Sequence, residues 1–125
     1  ASWTPQGWVG EMFRLNAGLR PLPEGVRPPV VWGTREGVEE LLGGGTSALT
    51  IRERAFDFVH RSGAALYDVF AESFGPTATA LAAVDDATRA AFRTSWVALA
   101  EEMSNATDGT LCIPATYLEV VAVRA

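Results

Sequence analysis

The sequence contains no lysine, since all ten of its basic residues are arginines, and these are scattered along the chain. Acidic residues outnumber them, and the formal net charge is −5. A nucleic-acid-binding surface requires a stripe of basic residues. The composition therefore predicts a protein that does not bind nucleic acid.

Cysteine and histidine each occur only once, as Cys112 and His60. A single cysteine cannot form an internal disulfide, which is typical of proteins in a reducing compartment, so we expect a cytoplasmic protein. One histidine, one cysteine and scattered carboxylates do not form a ligand set, and no metal site is predicted.

Long apolar runs are also missing, because no run approaches the roughly 20 residues that a membrane-spanning helix needs. We therefore expect no membrane partner. The start shows neither a secretory signal nor an initiator methionine, so we expect it to be an internal cut. The 125 residues are 48% hydrophobic and 20% charged, which is typical of one globular domain.

The first third of the chain predicts two helices separated by a proline-rich loop. A helix is predicted over Thr4–Leu19, with Thr4 as its N-cap. Four prolines between Arg20 and Trp32 exclude a regular helix there. Thr34 is then expected to cap a short helix that ends at Gly43-Gly44-Gly45.

Two regions have the patterns of β-strands. In the strand predicted over Leu49–Val59, the apolar residues change parity across residues 52–55, which indicates either a β-bulge or a change in the covered face. A second strand is predicted over Leu111–Ile113 and Tyr117–Val123, with an interruption at Pro114. The later part is apolar on both parities, so both of its faces are expected to be covered.

Helical segments fill the interval between these strands. Ser62 is expected to open the first, the second is predicted over Pro76–Val84, and Asp85 or Asp86 caps the third. Two strands are too few for a sheet that carries this many helices. We therefore expect another polypeptide or a second copy of the chain to complete the sheet.

Four stretches, in this order, resemble one protein family. They are WTPQGWVGEMFR, PPVVWGTREGVEELLG, VFAESFGPTATALAAVDDATRAAF and NATDGTLCIPATYLEVVAVRA. The set resembles the C-terminal half of class I methyltransferases that use S-adenosylmethionine, and in particular their type 11, UbiE-like group. The resemblance implies an α/β fold, here the C-terminal part of a Rossmann-like sheet. As a fragment it would be α+β, with helices and an antiparallel strand pair.

The cofactor-binding half of that family is not in this sequence. The family holds S-adenosylmethionine with a glycine-rich loop after its first strand and an acidic residue after its second. The cluster Gly43-Gly44-Gly45 instead follows a helix and precedes a strand, which is the reverse of a nucleotide-binding order. We therefore expect S-adenosylmethionine to be the cofactor of the parent protein, with no cofactor bound by this chain alone.

The resemblance implies that residues 1–125 form a single C-terminal methyltransferase region. Within it, residues 1–45 would contain the first helices and the proline-rich loop, and residues 46–60 a strand. Residues 61–108 would form a helical insert, and residues 109–125 the terminal strand.

A group of large side chains is the candidate substrate-binding site. Aromatic residues near the carboxyl ends of strands often wall pockets for flat apolar ligands, and the resemblance implies that this region shapes the acceptor side. The candidates are Trp3, Trp8, Met12, Phe13 and Trp32. An ordinary hydrophobic core is the alternative for the same residues.

No catalytic residue is predicted. His60 is interpreted as a loop histidine, and Cys112 as a small buried residue. The pairs Asp85-Asp86 and Glu101-Glu102 are interpreted as a helix cap or a solvated face, because adjacent helical residues point in different directions. Methyl transfer depends largely on alignment of donor and acceptor, so a dedicated base is not required.

Two functions are therefore open. In the first, the chain is the acceptor-side portion of a small-molecule methyltransferase, inactive alone and associated with an N-terminal cofactor-binding half. In the second, it is a stand-alone ligand-binding or assembly module without catalytic activity. Its incomplete sheet would then be closed by a second copy in a homodimer, because unpaired strand edges recruit partners.

Overall fold

A computed structural model describes all of residues 1–125 and has an α+β fold with five α-helices and a three-stranded antiparallel sheet. In chain order the elements are β1 (Ser2–Trp3), α1 (Trp8–Leu19), α2 (Arg35–Leu42), β2 (Thr46–His60), α3 (Gly63–Ser73), α4 (Gly75–Ala82), α5 (Asp86–Glu102) and β3 (Leu111–Arg124). Short 3₁₀ turns lie at Pro29–Gly33 and Gly43–Gly45. None of the helices combines the length and the hydrophobicity needed to cross a membrane.

The last strand lies at the centre of the sheet. β3 pairs with β2 on one side and with β1 on the other, and both pairings are antiparallel. The strand pair predicted from the sequence is thus extended by a short third strand. Because β1 and β2 are both antiparallel to β3, they run parallel to each other, and α1 and α2 form the crossover between them.

The parity change in β2 comes from a change in the covered face. Pairing with β3 is regular through residues 52–55, which excludes the β-bulge, one of the two alternatives for this segment, and the one register shift lies between Thr46 and Ala48. Phe58 packs against the helical core. Ile51 has the opposite parity and lies on the other face of the sheet, beside α2. The guanidinium of Arg35, the first residue of α2, donates a hydrogen bond to the Ile51 carbonyl at 3.4 Å.

Pro114 does not interrupt β3, and that prediction is wrong. The carbonyl of Thr116 accepts a hydrogen bond from the Thr4 N–H at 3.1 Å, and the carbonyl of Cys112 accepts one from Asn105 at 2.8 Å. Even-numbered residues of β3 therefore direct their backbone groups away from β2. Pro114 has the same parity, so its missing N–H removes no hydrogen bond to β2.

Three of the predicted caps are present. Thr34, Ser62 and Asp85 cap α2, α3 and α5, and each side chain accepts a hydrogen bond from the backbone N–H three residues later, at 3.0, 3.1 and 2.7 Å. These hydrogen bonds satisfy amides that the first turn of a helix leaves unpaired. The helix predicted over Pro76–Val84 is α4, which ends at Ala82.

The start of α1 differs from its prediction. Gly7, with a φ of 77°, precedes the first helical residue, Trp8. Thr4 is instead only 6% exposed, and its hydroxyl lies 2.7 Å from the hydroxyl of Thr116. The local capping signal at Thr4 is overridden because this side chain binds a residue 112 positions away.

An aromatic core lies between the helices and one half of the antiparallel β2–β3 strand pair. Trp8 and Trp96 have no exposed surface and pack edge to face, with ring centroids 4.8 Å apart. α1, α3 and α5 contribute most of the helical side. The core residues are Trp8, Val9, Met12, Leu66, Tyr67, Leu81, Phe92, Trp96, Ala100, Leu111, Ile113 and Ala115.

The two halves of this strand pair differ in their environment. The near half comprises Phe56–His60 and Leu111–Ala115, and the far half comprises Ala48–Arg52 and Glu119–Val123. In the far half, Val121 is 55% exposed, so the expectation that both faces are covered is wrong there.

The far half also has a free strand edge. β1 pairs with β3 only as far as Leu118. Val120 and Ala122 have the parity that directs backbone groups away from β2, and no strand pairs with them on that side. We call this segment, Val120–Ala122, the open edge of β3.

Candidate ligand-binding cleft

A cleft of about 610 Å³ lies between α1, the proline-rich loop and α4. This volume is in the range of small-molecule sites. Six of the seven prolines of the chain line it, namely Pro5, Pro21, Pro23, Pro28, Pro29 and Pro76. Because proline has a fixed φ, walls of this kind are already ordered before a ligand arrives.

One face of α1 supplies the apolar floor of the cleft. Phe13 and Ala17 are four residues apart, so both side chains lie on the same helical face. The Phe13 ring packs against Phe74, with centroids 5.9 Å apart and planes inclined by 67°. This contact fixes the orientation of the ring that a ligand would meet.

A buried polar pair joins the two helices that form the cleft. Asn16 of α1 is 6% exposed and Thr77 of α4 is fully buried. The side-chain amide of Asn16 donates a hydrogen bond to the Thr77 hydroxyl at 3.0 Å, and that hydroxyl lies 3.3 Å from the side-chain oxygen Oδ1 of Asn16. Satisfied polar pairs of this kind hold packed elements in one arrangement, so this pair sets the spacing of α1 and α4.

The charged residues of the cleft are all basic. Arg14 and Arg20 line it, and no carboxylate does. Arg14 forms an ion pair with Glu11 and donates a hydrogen bond to the Pro5 carbonyl at 3.3 Å. Arg20 takes part in none of the five ion pairs of the structure. The cleft is thus locally positive in a protein of net charge −5.

Tyr67 and Asp85, two groups with a shifted pKa, lie outside the cleft. Burial raises the pKa of the Tyr67 hydroxyl, which lies in the core. The hydrogen bond from the Thr88 N–H lowers the pKa of Asp85, the α5 cap. The lining of the cleft contains no carboxylate, histidine, cysteine or tyrosine, and arginine is not deprotonated in proteins, so the residues of the cleft suit binding better than proton transfer.

The five predicted substrate-binding residues do not meet in one place. Phe13 lines the cleft. Trp8 and Met12 are 0% and 1% exposed and belong to the core, which was the alternative for them. Trp3 lies in β1, and Trp32 is 42% exposed in a 3₁₀ turn.

Trp3 belongs to an aromatic cluster on the sheet that packs against the core. Its ring centroid lies 5.4 Å from Phe58, 5.6 Å from Tyr117 and 6.0 Å from Phe56. Phe56 is 50% exposed, so the cluster reaches solvent at the end of the near half of the strand pair. None of these four aromatic residues lines the cleft.

The other residues considered for chemistry are dispersed. His60 ends β2 opposite Leu111. The backbone N–H of Cys112 donates to the Ser104 hydroxyl at 3.0 Å. Glu101 and Glu102 are exposed at the end of α5. No three histidine, cysteine, aspartate or glutamate side chains form a group that could hold a metal ion.

The sequence interpretation missed the polar residues of the cleft, Arg14, Asn16 and Arg20. The available signal was the spacing of Phe13 and Ala17, which places both side chains on one face of α1, with Arg20 following at the end of the helix next to the proline-rich loop. That the loop folds back along this face is a tertiary contact without a local sequence signal.

Comparison of the chain with protein-family models finds no matching family, and comparison with curated proteins finds no matching protein.

Proposed function

We propose that this chain is the acceptor-side, C-terminal portion of a class I methyltransferase that uses S-adenosylmethionine, and that the cleft binds a small-molecule acceptor. The topology of the sheet supports the proposal most strongly. β1 and β2 are parallel and joined by helices, and the final strand is antiparallel between them. A mostly parallel sheet with an antiparallel last strand is what the resemblance of the four stretches implies for the C-terminal part of a Rossmann-like fold.

The donor would be held by residues outside this chain. A site for a nucleotide-like cofactor requires a strand, a glycine-rich loop and a helix in that order. The glycine cluster Gly43–Gly45 forms a 3₁₀ turn between α2 and β2, which is the reverse order. The residues present therefore do not fit S-adenosylmethionine, and the chain alone is proposed to be inactive.

The contribution of the chain would be to hold and orient the acceptor. Orientation of two reactants accounts for a large part of the rate enhancement in group transfer. Ordered proline walls and the fixed Phe13 ring provide such orientation without first having to be ordered themselves.

The gene that encodes the chain provides a test of this proposal. We expect the open reading frame to continue upstream of the codon for Ala1 into a strand, a glycine-rich turn and a helix. A frame that begins directly before this codon, or an upstream region without that pattern, would contradict the proposal.

The second candidate function is assembly with a second copy, and a difference between two strand edges favours it. The outer edge strand β2 carries four charged residues over Arg52–Asp57, and charged side chains discourage edge-to-edge pairing. The open edge of β3 and its neighbour Val123 carry none. This edge is therefore suited to accept a strand, from a cofactor-binding half in the first proposal or from a second copy in this one.

Light scattering of the purified chain over a range of concentrations tests the assembly. A homodimer through the open edge would become a monomer in the Val121→Lys variant. The Thr50→Lys variant is the matched control, because Thr50 is the cross-strand partner of Val121 on the same face and lies in the protected strand. A wild-type chain that stays monomeric at all concentrations excludes the homodimer.

A further inference from the structure

We infer that the cleft selects ligands with an apolar, ring-sized body and a single anionic group, such as an aromatic carboxylate. The identification of that ligand as a methyl acceptor rests on the proposed function, whereas the selectivity of binding does not. The inference combines three features of the cleft: its apolar floor, its charge and its length.

The apolar floor fits a flat ring. Phe13 presents a ring that Phe74 fixes in place, and Ala17 leaves space beside it because its side chain is a single methyl group. Proline rings and the side chains of Leu22 and Val30 form the opposite wall. An aromatic ligand between these walls would bury apolar surface on both of its faces.

The charge of the cleft comes from one free arginine. The guanidinium of Arg14 is already compensated by Glu11. Arg20 has no ion-pair partner, and no carboxylate among the lining residues compensates it. A guanidinium can hold a carboxylate through two parallel hydrogen bonds, so Arg20 is the group that would recognise an anion.

The backbone of Arg20 is fixed although its side chain is exposed. Arg20 is the C-cap of α1, and its N–H donates a hydrogen bond to the Asn16 carbonyl at 3.0 Å. Asn16 is itself held by Thr77. The position from which the guanidinium reaches into the cleft is therefore set by the same polar pair that fixes the spacing of α1 and α4.

The spacing along α1 sets the size of the ligand. Phe13 and Ala17 lie on one face of α1, Arg20 is the C-cap of the helix and lines the same cleft, and seven residues of α-helix extend for about 10 Å. A ligand that stacks on Phe13 and reaches the Arg20 guanidinium must bridge much of this distance. Two fused rings with a carboxylate at one end match it, whereas a single small anion such as acetate would reach Arg20 without contacting the apolar floor.

Calorimetry with two probes of the same shape tests the inference. Naphthoate carries the ring body and the carboxylate, and naphthalenemethanol carries the ring body with a neutral group. We expect naphthoate to bind about ten-fold or more tightly, because a charge-assisted pair exceeds a neutral hydrogen bond. The Arg20→Gln variant should lose this difference, whereas Arg61→Gln, which removes an exposed arginine outside the cleft, should keep it.

A second variant tests the location independently of charge. Ala17→Leu keeps a good helix former and fills the floor of the cleft, so both probes should lose affinity. Ala91→Leu, an exposed position of α5 outside the cleft, should bind like the wild type. Far-ultraviolet circular dichroism and thermal unfolding verify that each variant is folded.

Three results would overturn the inference: equal affinity for the two probes, naphthoate binding unchanged in Arg20→Gln, or no binding of either probe. None of them depends on the reading-frame test. Arg20-dependent naphthoate binding by a chain without an upstream cofactor half would support the cleft and refute the methyltransferase. An upstream cofactor half, together with naphthoate binding that does not depend on Arg20, would support the methyltransferase and refute the inference about the cleft.

Discussion

The near and far halves of the β2–β3 strand pair contain similar residues in different surroundings. On one face of β3, Ile113 is fully buried, whereas Val121 is 55% exposed. Both are β-branched residues of the same strand, and both pair regularly with β2. The difference arises because α1, α3 and α5 pack on the near half, whereas no helix of this chain covers that face of the far half.

This comparison indicates where the chain covers its own sheet and where it leaves apolar side chains and a strand edge uncovered. The near half has an aromatic core of its own and explains the stability of the fold. The far half combines exposed valines with the open edge of β3, a combination that free strands usually avoid. Each prediction below therefore compares a residue of the packed region with a similar residue outside it.

The largest effect is expected for a truncation in the near half. Ile113→Ala should lower the free energy of unfolding by about 2–5 kcal/mol, because it leaves a cavity in the core. Val121→Ala removes similar atoms from an exposed site and should change it by less than about 0.5 kcal/mol. Urea unfolding of both variants measures the difference. Similar losses would show that the far half is also packed.

The junction between β1 and the 3₁₀ turn should be nearly as sensitive. A Cβ atom on Gly33 would collide with the carbonyl oxygen of Trp3 and with the Cα of Thr4. Gly33→Ala should therefore cost about 1–3 kcal/mol as the backbone shifts. Gly44→Ala is the matched control, since nothing lies within 4 Å of its Cβ position. Thermal unfolding compares them, and equal midpoints would contradict this contact.

A smaller effect is expected for the hydrogen bond that ties the start of the chain to β3. Thr4→Val keeps the shape of the side chain and removes the hydroxyl that lies 2.7 Å from Thr116. The half-buried Thr116 hydroxyl loses its partner, and a loss of about 1–2 kcal/mol is expected. Thr107→Val, at an exposed position, should be close to neutral. Urea unfolding at neutral pH detects the difference, and an unaffected Thr4→Val variant would refute the role of this bond.

The smallest effect belongs to the ion pair between Glu119 of the far half and Arg54, which lies between the two halves. Arg54 donates two hydrogen bonds to Glu119, at 3.2 and 3.1 Å, and they lower the pKa of Glu119 from its usual 4.5. A carboxylate with a lowered pKa stabilises the fold above its unfolded pKa, and this contribution is lost as the pH falls through the folded pKa. Both side chains are well exposed, so the contribution is small and screened by salt.

The variant Glu119→Gln isolates this ion pair. Its stability should fall below that of the wild type near neutral pH, and the gap should close as the pH drops below about 4.5. Glu53→Gln lacks an ion pair and should show no such closure. Urea unfolding between about pH 6 and pH 3 measures both. A gap that does not change with pH would contradict the assignment.

The sequence predicted features that depend on neighbouring residues. Ser62 and Asp85 were identified as caps because a short polar side chain and a free amide three residues later are both local. The strand over Leu49–Val59 was located within β2 by its composition, but its parity change remained ambiguous until the register was known.

Features that depend on distant residues could not be predicted. Thr4 has the sequence signal of an N-cap, yet it contacts Thr116 because β1 pairs with β3. Pro114 predicted a break in the strand. Whether a strand accepts a proline depends on whether the missing N–H faces a neighbouring strand, and the position of β2 is not visible in the sequence. The cleft likewise forms only when the proline-rich loop lies along Phe13 and Arg20.

Calorimetry with S-adenosylmethionine and its demethylated product tests most directly the claim that the chain supplies an acceptor side and no donor site. It is measured on the 125-residue chain and on the longer polypeptide that the proposed function expects the upstream reading frame to encode. We predict binding at about micromolar or tighter affinity for the longer polypeptide and none for the chain alone. Micromolar binding to the chain alone, or none to the longer polypeptide, would contradict the claim.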